Sequence, residues 1–70
     1  MSLLEYGTQN RIVIALQNLG LSRYTASIIY EKCLHALTIE DGKLKGFSKI
    51  VILHTLKPNS LEYDEVNELL

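Results

Sequence analysis

The amino-acid sequence predicts an all-α fold, a small bundle of four to five short helices joined by glycine turns. Three observations support this prediction. Apolar residues recur at spacings of three and four in several segments, which is the repeat of one helix face. Serine or threonine precedes most of these segments, and glycine or proline follows most of them. These residues favour the beginnings and ends of helices.

The first two helices are expected on either side of Gly20. Helix one is predicted from about Gln9 to Leu19, with Thr8 as its N-cap and Gly20 as its stop. Ser22 is expected to cap helix two, the clearest helix in the sequence. Its apolar face follows the i, i+3, i+4, i+7 pattern and consists of Ala26, Ile29, Tyr30 and Cys33.

A third helix is expected to be short. Thr38, with Glu40 and Asp41 after it, predicts a helix start. Gly42 and Gly46 are expected to end this helix. The segment has room for little more than a single turn.

Two further helices are predicted in the last third of the chain. Ser48 is expected to cap a helix over 49–56, and Pro58 ends it because proline disfavours the helical conformation of the residue before it. Ser60 is expected to begin a fifth helix with an acidic first turn. Its apolar stripe consists of Tyr63, Val66 and Leu70.

Two β-branched runs, Ile12-Val13-Ile14 and Ile50-Val51-Ile52, admit two interpretations. Taken alone, each would pass for a buried strand, and two strands could pair. We favour helices because both runs follow cap residues and continue without the turn residues that bound strands. Helices this apolar are either central in the fold or have one face that awaits a partner.

Length and composition indicate one globular domain. The chain has 70 residues, of which 47% are hydrophobic and 21% are charged, a composition outside the range of disordered chains. Residues 1–3 are interpreted as a cloning remnant, and residues 4–70 as a single helical domain that belongs to a larger protein. A core this small leaves a thin margin of stability without a disulfide, a structural metal or a partner.

The sequence lacks the residues of an independent active site. Its single cysteine excludes an intrachain disulfide and suits a reducing, cytoplasmic compartment. Cys33, His35 and His54 do not form a metal-binding pattern, and no phosphate loop or nucleophile elbow is present. We therefore expect no enzyme activity, no metal or other cofactor and no small-molecule substrate. The apolar stretches are far shorter than the ~20 residues of a membrane span, so no membrane contact is expected.

Charge is unevenly distributed along the chain, although the net charge is only −1. From Gly42 to Lys57 every charged residue is a lysine, whereas from Asn59 onward every charged residue is acidic. A basic middle and an acidic tail could serve binding. They could equally form an ordinary solvated surface, with acids favoured near a helix N-terminus.

Two segments are locally similar: Leu19-Gly20-Leu21-Ser22-Arg23 and Lys45-Gly46-Phe47-Ser48-Lys49. In each, a glycine permits a tight turn, an apolar residue enters the core, a serine caps the next helix and a base occupies its first position. A helix N-terminus presents unpaired N–H groups and partial positive charge, so each turn could bind a phosphate. The same pattern is also an efficient connection between two helices without any ligand.

The two turns resemble those of helix-hairpin-helix domains over residues 16–56. A second glycine is usual in that family where this chain has Ser22 and Ser48. The resemblance implies a tandem domain that binds nucleic-acid backbones without reading bases. The matching residues are Gly20, Leu21, Ser22 and Ala26 in the first turn and Gly46, Phe47, Ser48 and Ile50 in the second.

The sequence is also similar to sterile alpha motif domains, five-helix modules that bind proteins and sometimes RNA. The aromatic residue expected early in the first helix is absent. This second resemblance implies a protein-interaction module. The matching segments are Leu19-Gly20-Leu21 with Tyr24, Leu37-Thr38, Glu40-Asp41, Gly46-Phe47 and the apolar helix from Ile50.

Leu19-Gly20-Leu21-Ser22 is similar, too, to the start of regulatory winged-helix segments. The sequence predicts no wing hairpin after it, and we set this interpretation aside.

Two functional hypotheses follow. The first is an accessory nucleic-acid-binding domain of a larger helicase, nuclease or repair-type protein that contacts phosphates independently of base sequence. Its expected binding residues are Gly20, Ser22, Arg23, Gly46, Ser48 and Lys49, with Lys43 and Lys45 as neighbours. The second is a protein-interaction or docking module, self-associating or bound to the parent chain. It would use the apolar surface of the first and fourth predicted helices and the acidic last helix.

Overall fold

The computed structural model describes residues 3–70, with side chains from Gly7 onward, and this part of the chain combines helices with a β-hairpin. Residues 1–3 were interpreted from the sequence as a cloning remnant. Met1 and Ser2 lie outside the described residues, and Leu3 begins the first helix. A 3-10 turn at Leu34–Ala36 connects the second helix to the hairpin. In chain order the elements are α1 (Leu3–Asn18), α2 (Arg23–Cys33), β1 (Leu37–Glu40), β2 (Lys43–Phe47), α3 (Lys49–Thr55) and α4 (Leu61–Leu69).

The all-α prediction is wrong, because the segment expected to be a short third helix is an antiparallel hairpin of β1 and β2. Asp41 and Gly42 join the strands, and both have positive φ, at 55° and 73°. Positive φ at both central residues is the requirement of a type I′ turn, and Asp-Gly is among the sequences that favour it. Alternation of Leu37 and Ile39 with polar residues supports the strand.

The winged-helix resemblance was set aside because no hairpin was predicted after the second helix. The structure does contain a hairpin there. However, α2 packs against α1, α3 and α4 at once. Its Ala26, Ile29 and Cys33 are fully buried, so α2 is the central helix of the fold.

Four of the five predicted helices are present, and three of their caps are confirmed. Ser22, Ser48 and Ser60 each accept a hydrogen bond from the backbone N–H three residues later, at the starts of α2, α3 and α4. The N-cap prediction for Thr8 is wrong, because α1 begins at Leu3 and continues through that residue. The first turn of α1 contains leucines and glutamate, which are good helix formers.

Both β-branched runs are helical, in α1 and α3. Their side chains divide between core and solvent: Ile12 and Ile52 are buried, whereas Ile14 is 46% exposed and Ile50 is 72% exposed. The apolar residues on all sides of these helices therefore divide between two environments. One side packs in the core, and the other remains open.

The core lies around α2, between α1 on one side and α3 with α4 on the other. The inner face of the hairpin, Ile39 and Leu44, packs against it half-buried. None of the helices within residues 3–70 is long and apolar enough to cross a membrane. The buried apolar side chains are Ile12, Val13, Leu16, Leu21, Ala26, Ile29, Cys33, Ala36, Leu37, Ile52, Leu56 and Val66.

Replacing Gly42 with alanine tests the hairpin turn. We expect the free energy of unfolding to fall by about 1–2 kcal/mol, because a Cβ is strained at positive φ. A Cβ at Gly42 would make only ordinary contacts, the nearest at 3.7 Å from Thr8 Oγ1, so strain and not collision sets the cost. Urea denaturation followed by circular dichroism measures the change.

Gly46→Ala is the matched control. A Cβ there meets no atom of the described residues within 4 Å, and the backbone does not have positive φ. Its effect should be small. Equal losses in the two variants would contradict the role assigned to the turn.

Candidate functional site

The first glycine-serine turn has the geometry predicted from the sequence. Gly20 has a φ of 111° and donates its N–H to the carbonyl of Gln17 at 2.9 Å, which ends α1. Leu21 enters the core. The Ser22 hydroxyl accepts from the N–H of Thr25 at 3.2 Å and caps α2. The turn therefore directs the N-terminus of α2 to one edge of the molecule, where an anion could be held.

The second turn differs from the first in what precedes it. Gly46 lies within β2 and pairs with Thr38, so the chain passes from a strand and not from a helix into α3. Ser48 still caps α3, accepting from the N–H of Val51 at 3.4 Å. The two segments share a sequence pattern but not a common helix-turn-helix structure.

A carboxylate already occupies the N-terminus of α2. Glu65 of α4 accepts a hydrogen bond from the Ser22 N–H at 2.7 Å and another from the Ser22 hydroxyl at 2.9 Å. The Thr25 hydroxyl donates to the same carboxylate. A phosphate at this turn would have to displace Glu65 or share these donors with it. The turn is thus satisfied by the protein's own anion.

These hydrogen bonds stabilise the charged form of Glu65. Donation from Thr25 is the largest effect, and burial, the next largest, opposes it. With the two smaller donations from Ser22, the hydrogen bonds hold the pKa of Glu65 below its ordinary value of 4.5. The folded-state pKa lies below the unfolded one. The contribution of Glu65 to stability is therefore present above pH 4.5 and is lost as the pH falls through the lowered value.

Lys49, the base of the second turn, is also engaged by α4. Its Nζ donates to the backbone carbonyl of Asn67 at 3.1 Å, in the last turn of α4, where unpaired carbonyls favour a cation. Lys49 and Glu65 thus fix both sides of α4. Of the predicted phosphate-binding bases, Arg23, Lys43 and Lys45 remain exposed.

The hairpin carries the remaining lysines on its solvent side. Lys43, Lys45 and Phe47 are exposed, whereas the residues between them are half-buried. Arg23 lies at the start of α2 and not on the hairpin. The structure therefore divides the predicted nucleic-acid-binding residues among the turn before α2 with the start of α2, the strand β2, and the start of α3 with its cap.

A different surface lies across α3 and α4, which correspond to the fourth and last predicted helices of the docking hypothesis. Ile50 and His54 of α3 flank the buried Ile52 by two residues each, so they point away from the core. On α4, Asp64 and Glu68 flank the buried Val66 in the same way. Leu61 is 65% exposed on this side of α4.

Between the two helices lies an open groove of about 370 Å³, and we call this whole surface the α3–α4 face. No carboxylate lines the groove. Lys49 and Lys57 bound the segment that forms α3, and acidic residues follow only in α4. The lining residues are Ile50, Leu53, His54, Leu56, Pro58 and Tyr63.

The structure places Cys33 in the core, where the thiol is fully buried. Burial raises the pKa of this thiol, and the hydrogen bond with Thr55 opposes the rise only in part. Among the described residues, no group of three or more histidine, cysteine, aspartate or glutamate side chains is placed to hold a metal ion.

Comparisons with protein-family models, with curated proteins and with solved structures find no match to this chain.

Glu65→Gln tests the contact between α4 and α2. At neutral pH we expect the free energy of unfolding to fall by about 1–2 kcal/mol, because a neutral amide interacts less favourably with three donors at a helix N-terminus. The difference from the wild type should shrink as the pH falls below 4.5 and through the lowered pKa of Glu65, where the folded-state carboxylate is protonated. Thermal or urea unfolding at a series of pH values measures it.

Glu68→Gln is the control on the same helix. Glu68 is exposed and faces away from α2, so its replacement should change stability by less than about 0.5 kcal/mol. A Glu65→Gln penalty that does not depend on pH would show that packing, and not charge, explains the contact.

Proposed function

We propose that this domain is a protein-interaction module that docks an acidic, partly apolar segment of a partner on the α3–α4 face. Ile50 carries the proposal. It is 72% exposed, although it belongs to a β-branched run whose neighbour Ile52 is fully buried. Covering an isoleucine of this exposure stabilises a complex by about 1–2 kcal/mol.

The surroundings of Ile50 favour a docking surface over a scattered apolar residue. Leu53 and Tyr63 are half-buried in the groove beside it, and Pro58 also lines the groove. A groove with apolar walls can receive side chains from a helix or an extended segment. Single exposed apolar residues need no explanation, but a set grouped around a groove indicates an interaction surface.

Charge defines the chemistry of the partner. Lys49 begins α3 and Lys57 follows its end, His54 lines the groove, and no acid occurs from Gly42 to Lys57. Lys49 Nζ also donates to the carbonyl of Asn67. A partner segment that places leucine or phenylalanine in the groove and carboxylates beside it complements this side in both respects.

A peptide-display selection tests this proposal. The immobilised domain is exposed to a random peptide library, and Ile50→Lys serves as the counter-selection target. We expect enriched peptides to combine apolar anchors with aspartate or glutamate, and to bind Ile50→Lys at least about tenfold more weakly because a lysine replaces the apolar anchor and its charge opposes burial. Fluorescence anisotropy with the enriched peptides gives the affinities.

Ile14→Lys is the matched control, because Ile14 is also an exposed isoleucine in a helix but lies in α1. Peptide affinity for this variant should equal that for the wild type. Enriched peptides that lack acidic residues, or that lose affinity equally with both variants, would refute the proposal.

Nucleic-acid binding is a second candidate, and the exposed Lys43, Lys45 and Phe47 on one side of the hairpin favour it. Two lysines beside an aromatic ring suit a phosphate backbone with a base stacked on the ring. Glu65 holds the Ser22 turn, so the hairpin and not that turn would be the first point of contact.

Titration with a short DNA duplex and with a single strand at low salt, followed by NMR of backbone amides, tests this candidate. We expect shifts over β2 that disappear at higher salt and in a Lys43→Glu, Lys45→Glu double variant. Shifts at Ser22 to Thr25 would show that phosphate displaces Glu65. Unshifted amides over β2 and over Ser22 to Thr25 would exclude both contacts.

A further inference from the structure

A small cleft lies between α1 and α2, and none of its lining residues belongs to the α3–α4 face. We call it the α1–α2 cleft. Its volume is about 100 Å³, against about 370 Å³ for the groove beside Ile50. All but one of its lining residues are polar, and none is acidic. They are Gln9, Asn10 and Val13 of α1 and Arg23 and Ser27 of α2.

The polar side chains of this cleft have no partner within the described part of the protein. None of them makes a hydrogen bond or an ion pair with another residue that the structure describes. Gln9 and Ser27 are half-buried, whereas Asn10 and Arg23 are exposed. Their amide, hydroxyl and guanidinium groups all carry hydrogen-bond donors. Several donors are therefore grouped around one cleft and are available to a ligand.

Arg23 occupies a position where a cation is locally unfavourable. It is the first residue of α2, and the first turn of α2 contains no acidic residue. The partial positive charge of a helix N-terminus disfavours a base there. Glu65 binds Ser22 and Thr25 at this end of α2, but no ion pair joins any described carboxylate to Arg23. An anion in the cleft would offset this local excess of positive charge.

We propose that the α1–α2 cleft binds a single carboxylate group. The planar guanidinium of Arg23 can donate two parallel hydrogen bonds to the oxygens of a carboxylate. The amides of Gln9 and Asn10 and the hydroxyl of Ser27 supply further donors. One positive charge in the cleft matches the one negative charge of the ligand. This site is separate from the α3–α4 face and does not depend on the docking function proposed for that face.

The size of the cleft limits what it holds. Its volume is about three times the ~30 Å³ that one water molecule takes up in the liquid, which is enough for the flat carbon and oxygen atoms of one carboxylate. Pockets for drug-sized molecules are larger, at ~300 Å³ or more. The cleft therefore holds the acidic end of a ligand, and the rest of the ligand lies outside. A free carboxylic acid and an aspartate or glutamate side chain of a bound protein both have this chemistry.

A nucleic-acid phosphate fits the cleft less well than a carboxylate. It also carries one negative charge, but it is tetrahedral and continues into sugars on two sides. Strong phosphate sites on proteins combine several cations, whereas Arg23 is the only base that lines this cleft.

NMR titration of the chain tests the site. The probes are propionate, a capped glycine-glutamate-glycine tripeptide, its glutamine counterpart and dimethyl phosphate, each added at constant ionic strength. We expect propionate and the glutamate tripeptide to shift the amides of Gln9, Asn10, Arg23 and Ser27, and the glutamine tripeptide to leave them unshifted. Dissociation constants should lie in the millimolar range, because a carboxylate offers few atoms for contact.

Two charge-neutralising variants separate the cleft from general attraction of anions. Arg23→Gln should weaken binding of both carboxylates by about three- to tenfold, because it removes the charge and the paired donors. Arg11→Gln is the matched control: Arg11 follows Asn10 in α1 and is exposed, but it does not line the cleft. It has the same net charge as Arg23→Gln and should bind as the wild type does. Both changes are on the surface, and the dispersion of the amide spectrum checks that each variant is folded.

The probes also distinguish the two sources of the carboxylate. Tighter binding of the glutamate tripeptide than of propionate would support an acidic side chain of a bound protein, and binding that is no tighter would support a free acid. Three results would each overturn the inference. They are unshifted cleft amides with both carboxylates, equal weakening by the two variants, and tighter binding of dimethyl phosphate than of either carboxylate.

Discussion

The arrangement of this domain depends on the carboxylate of Glu65 at the N-terminus of α2. Three donors converge on it, the backbone and the hydroxyl of Ser22 and the hydroxyl of Thr25. Residues 22 and 65 are 43 positions apart in the chain, so this contact brings the last helix against the connection between the first two. Val66, the next residue, is fully buried. The same contact therefore orients α4 and delivers its apolar side to the core.

This contact also explains why the α3–α4 face exists. With Glu65 directed to α2 and the end of α4 held by Lys49, the outer side of α4 has no freedom to turn inward. Leu61, Asp64 and Glu68 must then remain at the surface. The same two contacts place α4 beside α3, where Ile50 is open to solvent. Because Glu65 already satisfies the N-terminus of α2, phosphate binding at the turn is disfavoured.

Features that depend on neighbouring residues were predictable from the sequence. Serine caps at positions 22, 48 and 60 and the end of α3 before Pro58 are local consequences of hydrogen bonding and backbone geometry. The helical state of both β-branched runs was predicted for the same reason. The hairpin carried a local signal as well, Asp41-Gly42 between alternating residues. We took the acids after Thr38 for a helix start, and this choice is the physical source of the error in fold class.

The contacts that define the candidate sites were not predictable in this way. The acidic residues of the last helix were evident, but no local rule selects Glu65 as the one that reaches Ser22. That choice depends on where α2 and α4 cross, which only the packed core determines. Likewise, the sequence indicated that the fourth predicted helix is apolar on all sides. Only the packing of Ile52 shows that Ile50 is the residue left open.

The hairpin has a consequence for the behaviour of the chain at high concentration. In a two-stranded sheet each strand has an unpaired outer edge, and such edges can recruit strands from other molecules into aggregates. Lys45 interrupts the pairing as an extra residue between Leu44 and Gly46, a bulge that increases local twist. Together with the charge of Lys43, this bulge makes β2 a poor template for a third strand. The lysines of the hairpin can therefore protect the molecule from indiscriminate sheet growth, whatever else they bind.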